Sequence, residues 1–436
     1  MTAGVVDDAP AAGAREGTGA RARSPRRAED IPFARRVAAF CFLMFADFFY
    51  GWSWNTVDVL RPDIRAGLGL TLTQASLMYT AQSAGALVGA VVIGQLADRL
   101  GRRNALVGIM VGYSCLLAAG AIVADLPQLL AQRFLLGTCL GGVFPVAVGI
   151  YTSLFDRRLC GRLAGFYNGT FNGSIVVLGF IVSSLGVTDW RALLWGGAVA
   201  PLLAAPLAFL IIPDDKRTIP YGIERLEPSK AKLPVAELFA PAWRGRTLRI
   251  ALMVGLNFFA YQAFAGWQTT YLQDTLGLPS PVAKNLIAWQ FSATIVGGFL
   301  WGWVADRFGR RLNAIGFVGA SALIALYLTM SADPFALRLV GIGFGLLLPC
   351  SVIWGPWLAE MYPAHLRSTA ASIFNWGRLI SLFSPPVTAA VATMYGLASA
   401  MALAAVSFTL AALVWRTLPE TLQRPERAPV PIAPTE

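Results

Sequence analysis

The sequence predicts an all-α membrane protein whose twelve transmembrane helices form two parallel six-helix repeats. Three observations carry that prediction. The 436-residue chain is 56% hydrophobic and only 14% charged, with a mean hydropathy of +0.59. Soluble domains carry roughly 25% charged residues, so this chain has more apolar surface than a water-facing globule can hide, and a bilayer is its expected solvent. Apolar runs of about 20 residues, enough to span hydrocarbon, recur at a steady spacing. Between two of them stands the charged decapeptide GQLADRLGRR at 94–103, which returns as GWVADRFGRR at 302–311.

Taken in order, the spans fall near 37–58, 74–96, 104–123, 129–154, 163–186 and 191–212, then near 249–272, 286–305, 312–331, 336–361, 370–393 and 396–416. The resulting organisation is a disordered tail at 1–33, a six-helix bundle at 34–212, a polar, proline-bearing linker at 213–248, a second six-helix bundle at 249–416 and a short tail at 417–436. The first tail is rich in Ala, Arg, Gly and Pro and has no apolar core. Its SPRRAED at 24–30 lacks the short apolar region and cleavage site of a signal peptide, so no cleaved signal is expected. Lys and Arg set the orientation. With the N-terminus inside, 28 of the 35 basic residues fall on the inner side and five on the outer. Both tails and the linker are therefore expected in the cytoplasm. Each decapeptide then joins the second and third helices of its half on that same face, which makes the halves a parallel repeat.

The net charge of +11 lies in short runs between apolar segments with few aromatics interleaved, so it reads as topology and not as a nucleic-acid surface. The five cysteines show no CxxC spacing, and the one histidine, His365, falls in a loop. No metal site and no cofactor are expected. No nucleophile–base pair or phosphate-cradling loop appears, and an enzyme is not expected. GLGL at 67–70 reads as loop glycines and GIGFG at 341–345 as helix-packing glycines.

The doubled GxxADRxGRR, at matching places in two halves, resembles the loop signature of the major facilitator superfamily. RFLLGTCLGG at 133–142 is similar to that family's helix 4 pattern, EMYPAHLRST at 360–369 to its turn after helix 10, and LPET at 418–421 to the PET that ends many sugar and organic-acid members. The first-half turn SLFDRRLCGR at 153–162 lacks the glutamate and proline, and IIPDDKR at 211–217 only partly matches the sugar-porter turn. The resemblance covers about residues 37 to 420 and implies a transporter that alternates access. It implies a cytoplasmic gate formed by Asp98, Arg99, Arg102, Arg103, Asp306, Arg307, Arg310, Arg311, Glu360 and Arg367. Asp98 would point at the start of helix 11 near Thr369–Ser372, Asp306 at the start of helix 5 near Gly161–Leu163, and the arginines would pair with Asp156 and Glu360.

Ionisable residues inside spans cost about 2.5–3.5 kcal/mol each and are site candidates by default. Asp47 lies midway along helix 1 and Arg378 about two turns into helix 11. A permanently charged arginine suits a carboxylate, and a desolvated aspartate suits a coupling proton. Alternatively, the two pair with each other structurally. Arg133 in helix 4 sits among packing glycines and reads as structural. Asp58 stands at a helix end, within reach of water. The resemblance places helices 1, 4, 7 and 10 around the cavity, and organic-acid symporters carry a DGxD motif in helix 1. Asp47 matches its first aspartate, but Phe48 and Tyr50 replace the glycine and the second aspartate.

In helix 7, positions 257, 261, 264, 268 and 271 share one polar-aromatic face. Substrate-binding candidates are Arg378, Tyr261, Gln262, Asn257, Gln82, Asn168 and Gln290, with Asp47 as the proton-coupling residue. Trp54, Trp190 and Tyr271 read as interfacial aromatics. The expected activity is proton-coupled transport of a small organic solute, a carboxylate, across the cytoplasmic membrane by a monomer whose partners are substrate, proton and bilayer. The alternatives are a multidrug or metabolite exporter of the same fold and, ranked last, a non-transporting sensor.

Overall fold

The computed structural model describes residues 26–187, 189–221, 236–354, 357, 361–362 and 373–421. Within them the chain is helical almost throughout. The first half holds α1 (Phe33–Val59), α2 (Leu72–Leu100), α3 (Arg102–Gly120), α4 (Leu126–Leu154), α5 (Arg157–Leu185) and α6 (Trp190–Ile211). The second half holds α7 (Pro241–Thr275), α8 (Ser280–Phe308), α9 (Ala314–Thr329), α10 (Pro334–Ile353), α11 (Ile373–Ser381, continued as Ser384–Tyr395) and α12 (Leu397–Arg416). Among the described residues, nine segments are long and apolar enough to cross a membrane, and α9 is apolar but shorter. A two-turn helix, Arg61–Leu68, follows α1 and closes on Gly69, whose φ of 64° is left-handed.

Two departures from the expected boundaries concern polar segments. Residues 26 and 27, expected to be disordered, pair in parallel with Thr218 and Ile219 of the linker. Ala28 and Ile31 behind them are buried, so local burial overrides the tail's composition. The seventh helix starts at Pro241, well before 249, because Pro241 suits a helix's first turn and Arg246 and Arg249 bond carbonyls of Met361 and Thr417. These polar residues extend the helix beyond its apolar core.

The halves use the same packing scheme. In the first, α1 packs on α5, α2 on α4 and α3 on α6; in the second, α7 packs on α11, α8 on α10 and α9 on α12. The halves meet through α5 with α8 and α2 with α11. Such pairing follows from a parallel repeat, since each helix finds the same neighbour in its own half. The α2–α4 contact is built from backbone. A Cβ at Gly85 or Gly89 would stand 1.9 Å from a carbonyl oxygen of α4, and one at Gly137 or Gly141 would stand 2.0 or 2.2 Å from one of α2. The α8–α10 contact repeats the device more loosely, with Gly345 against Gln290 O at 2.1 Å and Gly297 against Leu346 O at 2.5 Å. Small residues let helices approach closely where lipid supplies no hydrophobic driving force. Outward-facing side chains remain apolar: Leu203 and Leu210 are 73% and 72% exposed, as a hydrocarbon solvent permits.

The bundle has two distinct ends. One carries both charged decapeptides and is called the basic end here; α1 starts there and the even-numbered helices start at the other. The even-numbered helices α2, α4, α6 and α10 take side-chain caps from Thr71, Asp125, Asp189 and Asp333 immediately before them, each satisfying orphan N–H groups of the first turn.

Candidate functional site

The charged turns are satisfied within their own halves. Gly101 and Gly309 adopt φ of 93° and 110°, a region that side chains disfavour, and each turn leads directly into α3 or α9. Both new chain starts receive a carboxylate from beyond the sixth helix of their half. Asp215 accepts from Arg102 N at 2.8 Å and Arg103 N at 3.4 Å. Glu420 accepts from Arg310 N and Arg311 N, both at 2.9 Å. Arg103 also pairs with Asp214, Arg102 bonds Gly149 O, Arg311 bonds Leu418 O, and Lys216 bonds Arg99 O. Asp306 pairs with Arg310 one turn away, at 2.7 Å. Arg307 is exposed against Phe308.

Among the described residues, Arg102 and Arg103 meet Asp214 and Asp215 where Asp156 was expected, Arg310 and Arg311 meet Asp306, Glu420 and Leu418, and Asp306 pairs within its own turn. The reason is positional: the acids after α6 and α12 lie directly over the turns. Glu360, Arg367, the start of α11 and the Asp98 side chain lie outside the described residues. Removing the cap with Glu420→Ala is expected to lower stability by about 1 kcal/mol, measured as a lower melting temperature in detergent. An unchanged melting temperature would contradict that role.

The polar contacts that described residues make between the halves gather at the opposite end. Most of them spring from one short stretch, DVLRPDIR at 58–65. Asp63 meets Lys284 at 2.5 Å and Ser280 at 3.3 Å. Arg65 meets Asp274 at 2.7 Å. Arg61 bonds Gly266 O and lies 4.3 Å over the Trp267 ring. Asn285 donates to Ser183 at 3.3 Å. This end is closed, and residues that close it were not singled out in the sequence. Their signal was the alternation of Arg and Asp in a turn too short for another purpose.

Midway between the ends, residues of both halves surround Arg378. Its guanidinium lies 4.6 Å over the Trp54 ring. Tyr50 lies against Arg378 and within electrostatic reach of Asp47. Tyr50 contacts Phe171 and Trp54 at ring distances of 5.4 and 6.2 Å, and Trp54 meets Tyr79 edge-on at 6.3 Å. Trp54, expected at the interface, is thus a wall of the centre, and Trp190 and Tyr271 are buried too. Among the described residues no carboxylate pairs with Arg378, and Asp47 and Arg378 form no ion pair with each other. Asp47 is 1% exposed and faces the interior of the first half, beside Tyr167 of α5 and within electrostatic reach of Tyr113 and Tyr151. Asp47 Oδ2 and the Tyr167 hydroxyl are buried close to each other, and neither has a further hydrogen-bond partner.

The other candidates divide. Tyr261 is half-buried near Asp58 and Tyr79, and Asn257, one turn earlier, is buried. Gln262 reaches across to Asp58 at 2.8 Å while its Oε1 stays unpartnered. Gln82 is occupied: it donates to Trp54 O and accepts from Arg133. Gln290 is also occupied, in a reciprocal amide pair with Gln268 at 2.7 and 2.9 Å. Neither was expected to be consumed within the bundle. Phe264 and Tyr271 turn into the second half against Tyr327, so only the Asn257–Tyr261 part of the expected helix 7 face reaches the centre. Asn168 is exposed on α5. Arg133 holds Thr56 and Gln82 together and is fully buried, as a structural arginine would be.

The bundle is similar to solved transporters. It superposes with a TM-score of 0.71 at 15% identity on a bacterial homologue of the human lysosomal transporter Spinster in an inward-facing, unoccupied conformation, covering 88% of this chain and 96% of that one. With the nucleoside transporter NupG the TM-score is 0.73 at 15% identity, covering 88% and 99%. Among curated proteins, it is 26% identical to the niacin transporter NiaP of Acinetobacter baylyi over 77% of this chain and 84% of the relative. It is 25% identical to the cis,cis-muconate transport protein of the same species, covering 80% and 85%. The gallate transporter of Pseudomonas putida is 24% identical, covering 82% and 85%. The Major Facilitator Superfamily profile matches residues 43–383. A doubled charged turn, a twofold packing scheme and a profile match across most of both halves have one common explanation: the chain belongs to the Major Facilitator Superfamily, a family of transporters and not of enzymes.

Proposed function

We propose that this protein is a secondary active transporter of a small organic acid, preferably an aromatic monocarboxylate, driven by protons. The observation that carries this reading is Arg378: a permanently charged, half-buried guanidinium at the centre with no carboxylate partner among the described residues and an aromatic wall of Trp54, Tyr50 and Tyr79 around it. A planar fork fits a carboxylate bidentately, and aromatic faces fit a ring. Relatives named for niacin, cis,cis-muconate and gallate, all carboxylates, support the same class. Asn257, Tyr261 and the free oxygen of Gln262 would complete the second-half side of the site. Asp47, buried with an open hydrogen-bonding position beside Tyr167, is the group proposed to carry the proton. The excess of Lys and Arg supports placing the basic end, both termini and the linker in the cytoplasm of a cell's inner membrane. On that orientation the structure is closed to the outside, and Asp98, Asp306, Glu360, Arg367 and the paired arginines would close the cytoplasmic side in the alternate state.

The test is uptake into proteoliposomes of carboxylates, sugars and cationic drugs, with and without an acid-outside gradient. One coupled proton per substrate allows about tenfold extra accumulation per pH unit, since one unit is worth about 1.4 kcal/mol. Carboxylates are expected to accumulate to that order. Asp47→Asn is expected to abolish the gradient's effect while exchange of internal for external substrate persists. Indifference of the wild type to the gradient would end the proton-coupled reading, and preference for sugars or cations would end the organic-acid reading.

A further inference from the structure

The closed end contains a carboxylate that neither the central site nor the outer ion pairs use. Asp58 sits at the end of α1 with its side chain only 11% exposed, and it meets the fully buried Arg61 at 2.6 Å. Its Oδ1 also accepts from Gln262 of the other half at 2.8 Å. Arg61, held by that carboxylate, is the side chain that bonds Gly266 O and covers Trp267 across the interface. One carboxylate therefore organises contacts between two halves that must part for this end to open. The groups facing it are Arg61 from the turn, Arg133 from α4, Tyr79 from α2, and Gln262 and Tyr261 from α7. No second carboxylate is among them, so loss of the Asp58 charge strands a buried arginine.

Asp58 is also aligned with the central site. Asp47, Tyr50, Trp54 and Asp58 stand at i, i+3, i+7 and i+11, one stripe along α1. Eleven residues of helix rise about 16 Å, so Asp47 and Asp58 bracket the Arg378 position from its two sides.

We propose that Asp58 is a second proton-binding group of this transporter and that its ionised form holds the opposite end shut. Resting on the reading of the chain as proton-coupled, the proposal adds where a proton acts on the gate. Protonation removes the charge that anchors Arg61, the arginine loses its one ion-pair partner among the described residues, and the contacts to Gly266 and Gln262 loosen together. Acid on the outer side then opens the end that must receive substrate.

The experiment uses full-length protein in nanodiscs, its five cysteines replaced, with a reporter cysteine at Thr270. That residue is fully buried on α7 near the gate. Labelling by a polar maleimide is compared with a second reporter at Ile122, which is 73% exposed and corrects for thiol ionisation. Corrected labelling at position 270 is expected to rise about fivefold as pH falls from about 7.5 to about 5.5. Asp58→Asn should label rapidly at every pH, and Asp58→Glu should restore the pH dependence. Asp63→Asn should raise labelling yet keep its slope with pH. A flat wild-type profile, or a slope that persists in Asp58→Asn, overturns the proposal. If Asp58→Asn does not fold, a flat wild-type profile or an Asp58→Glu profile without pH dependence overturns it. Because no substrate is present, the outcomes separate from those of uptake. A flat gate with gradient-driven uptake removes this proposal alone, and a responsive gate with gradient-indifferent uptake removes the proton-coupled reading alone.

Discussion

Arg378→Ala is expected to raise the KM for organic-acid uptake about a hundredfold. Breaking one side of a buried charge pair costs about 3–5 kcal/mol. Arg378 is half-buried, so the lower end applies, and each 1.4 kcal/mol or so is tenfold. Arg378→Lys keeps the charge but loses the planar fork and its stacking on Trp54, 4.6 Å away, and about a tenfold loss is expected. Trp54→Ala tests the same wall from below: it removes a cation–π contact worth about 1 kcal/mol and ring contacts with Tyr50 and Tyr79. Measured uptake kinetics check all three, with detergent-extracted protein levels as the control for folding. A KM within twofold of wild type for Arg378→Ala would remove the arginine from the site.

The largest effect on folding is expected at Gly137. A single Cβ there would stand 2.0 Å from Gln82 O, 2.8 Å from its carbonyl carbon and 3.0 Å from its Cα. These are backbone atoms inside a helix, so no rotamer change relieves the clash. Gly137→Val must push α2 and α4 apart, with a cost above the usual 1–3 kcal/mol of overpacking. It would also displace Gln82 from Arg133 and Trp54 O. Folded yield in detergent is expected to fall severely, whereas Gly94→Ala, at a position where an added Cβ meets nothing within 4 Å, should behave as wild type. Normal folding of Gly137→Val would show that the helices tolerate a wider separation.

Much of the architecture was legible before any coordinates. Helix number, the repeat and the family rest on composition and on a charged turn written twice, both local properties of the chain. The packing role of RFLLGTCLGG at 133–142 was legible too, because glycines at helical spacing have few other uses in a span. The site was legible only in part. Arg378 and Asp47 stand out because an ionisable residue in a span is costly wherever it points. Gln82 and Gln290 stood out as polar side chains within spans and proved to be spent on Arg133 and Gln268. Polarity within a span marks a need for a partner, and the partner can be the protein itself. Asp58 was passed over because a helix end normally means water. Here the turn that follows folds back, and the second half covers it.

What the sequence by itself determined is the solvent, the twofold plan and the class of machine, since hydropathy, spacing and repetition are read along one dimension. Only the tertiary structure decided which charges meet. Asp215 lies 113 positions from the amide it caps and Glu420 lies 110. Asp63 lies 221 from Lys284, and Gln262 lies 204 from Asp58. The first two close inside one bundle, where the chain beyond the sixth helix returns over the charged turn; the last two close because the two bundles dock at one end, and a charge at that interface takes whichever partner the docking presents. The gate at the closed end, the aromatic wall beneath Arg378 and the burial of Asp58 are all products of that docking, which no local pattern encodes.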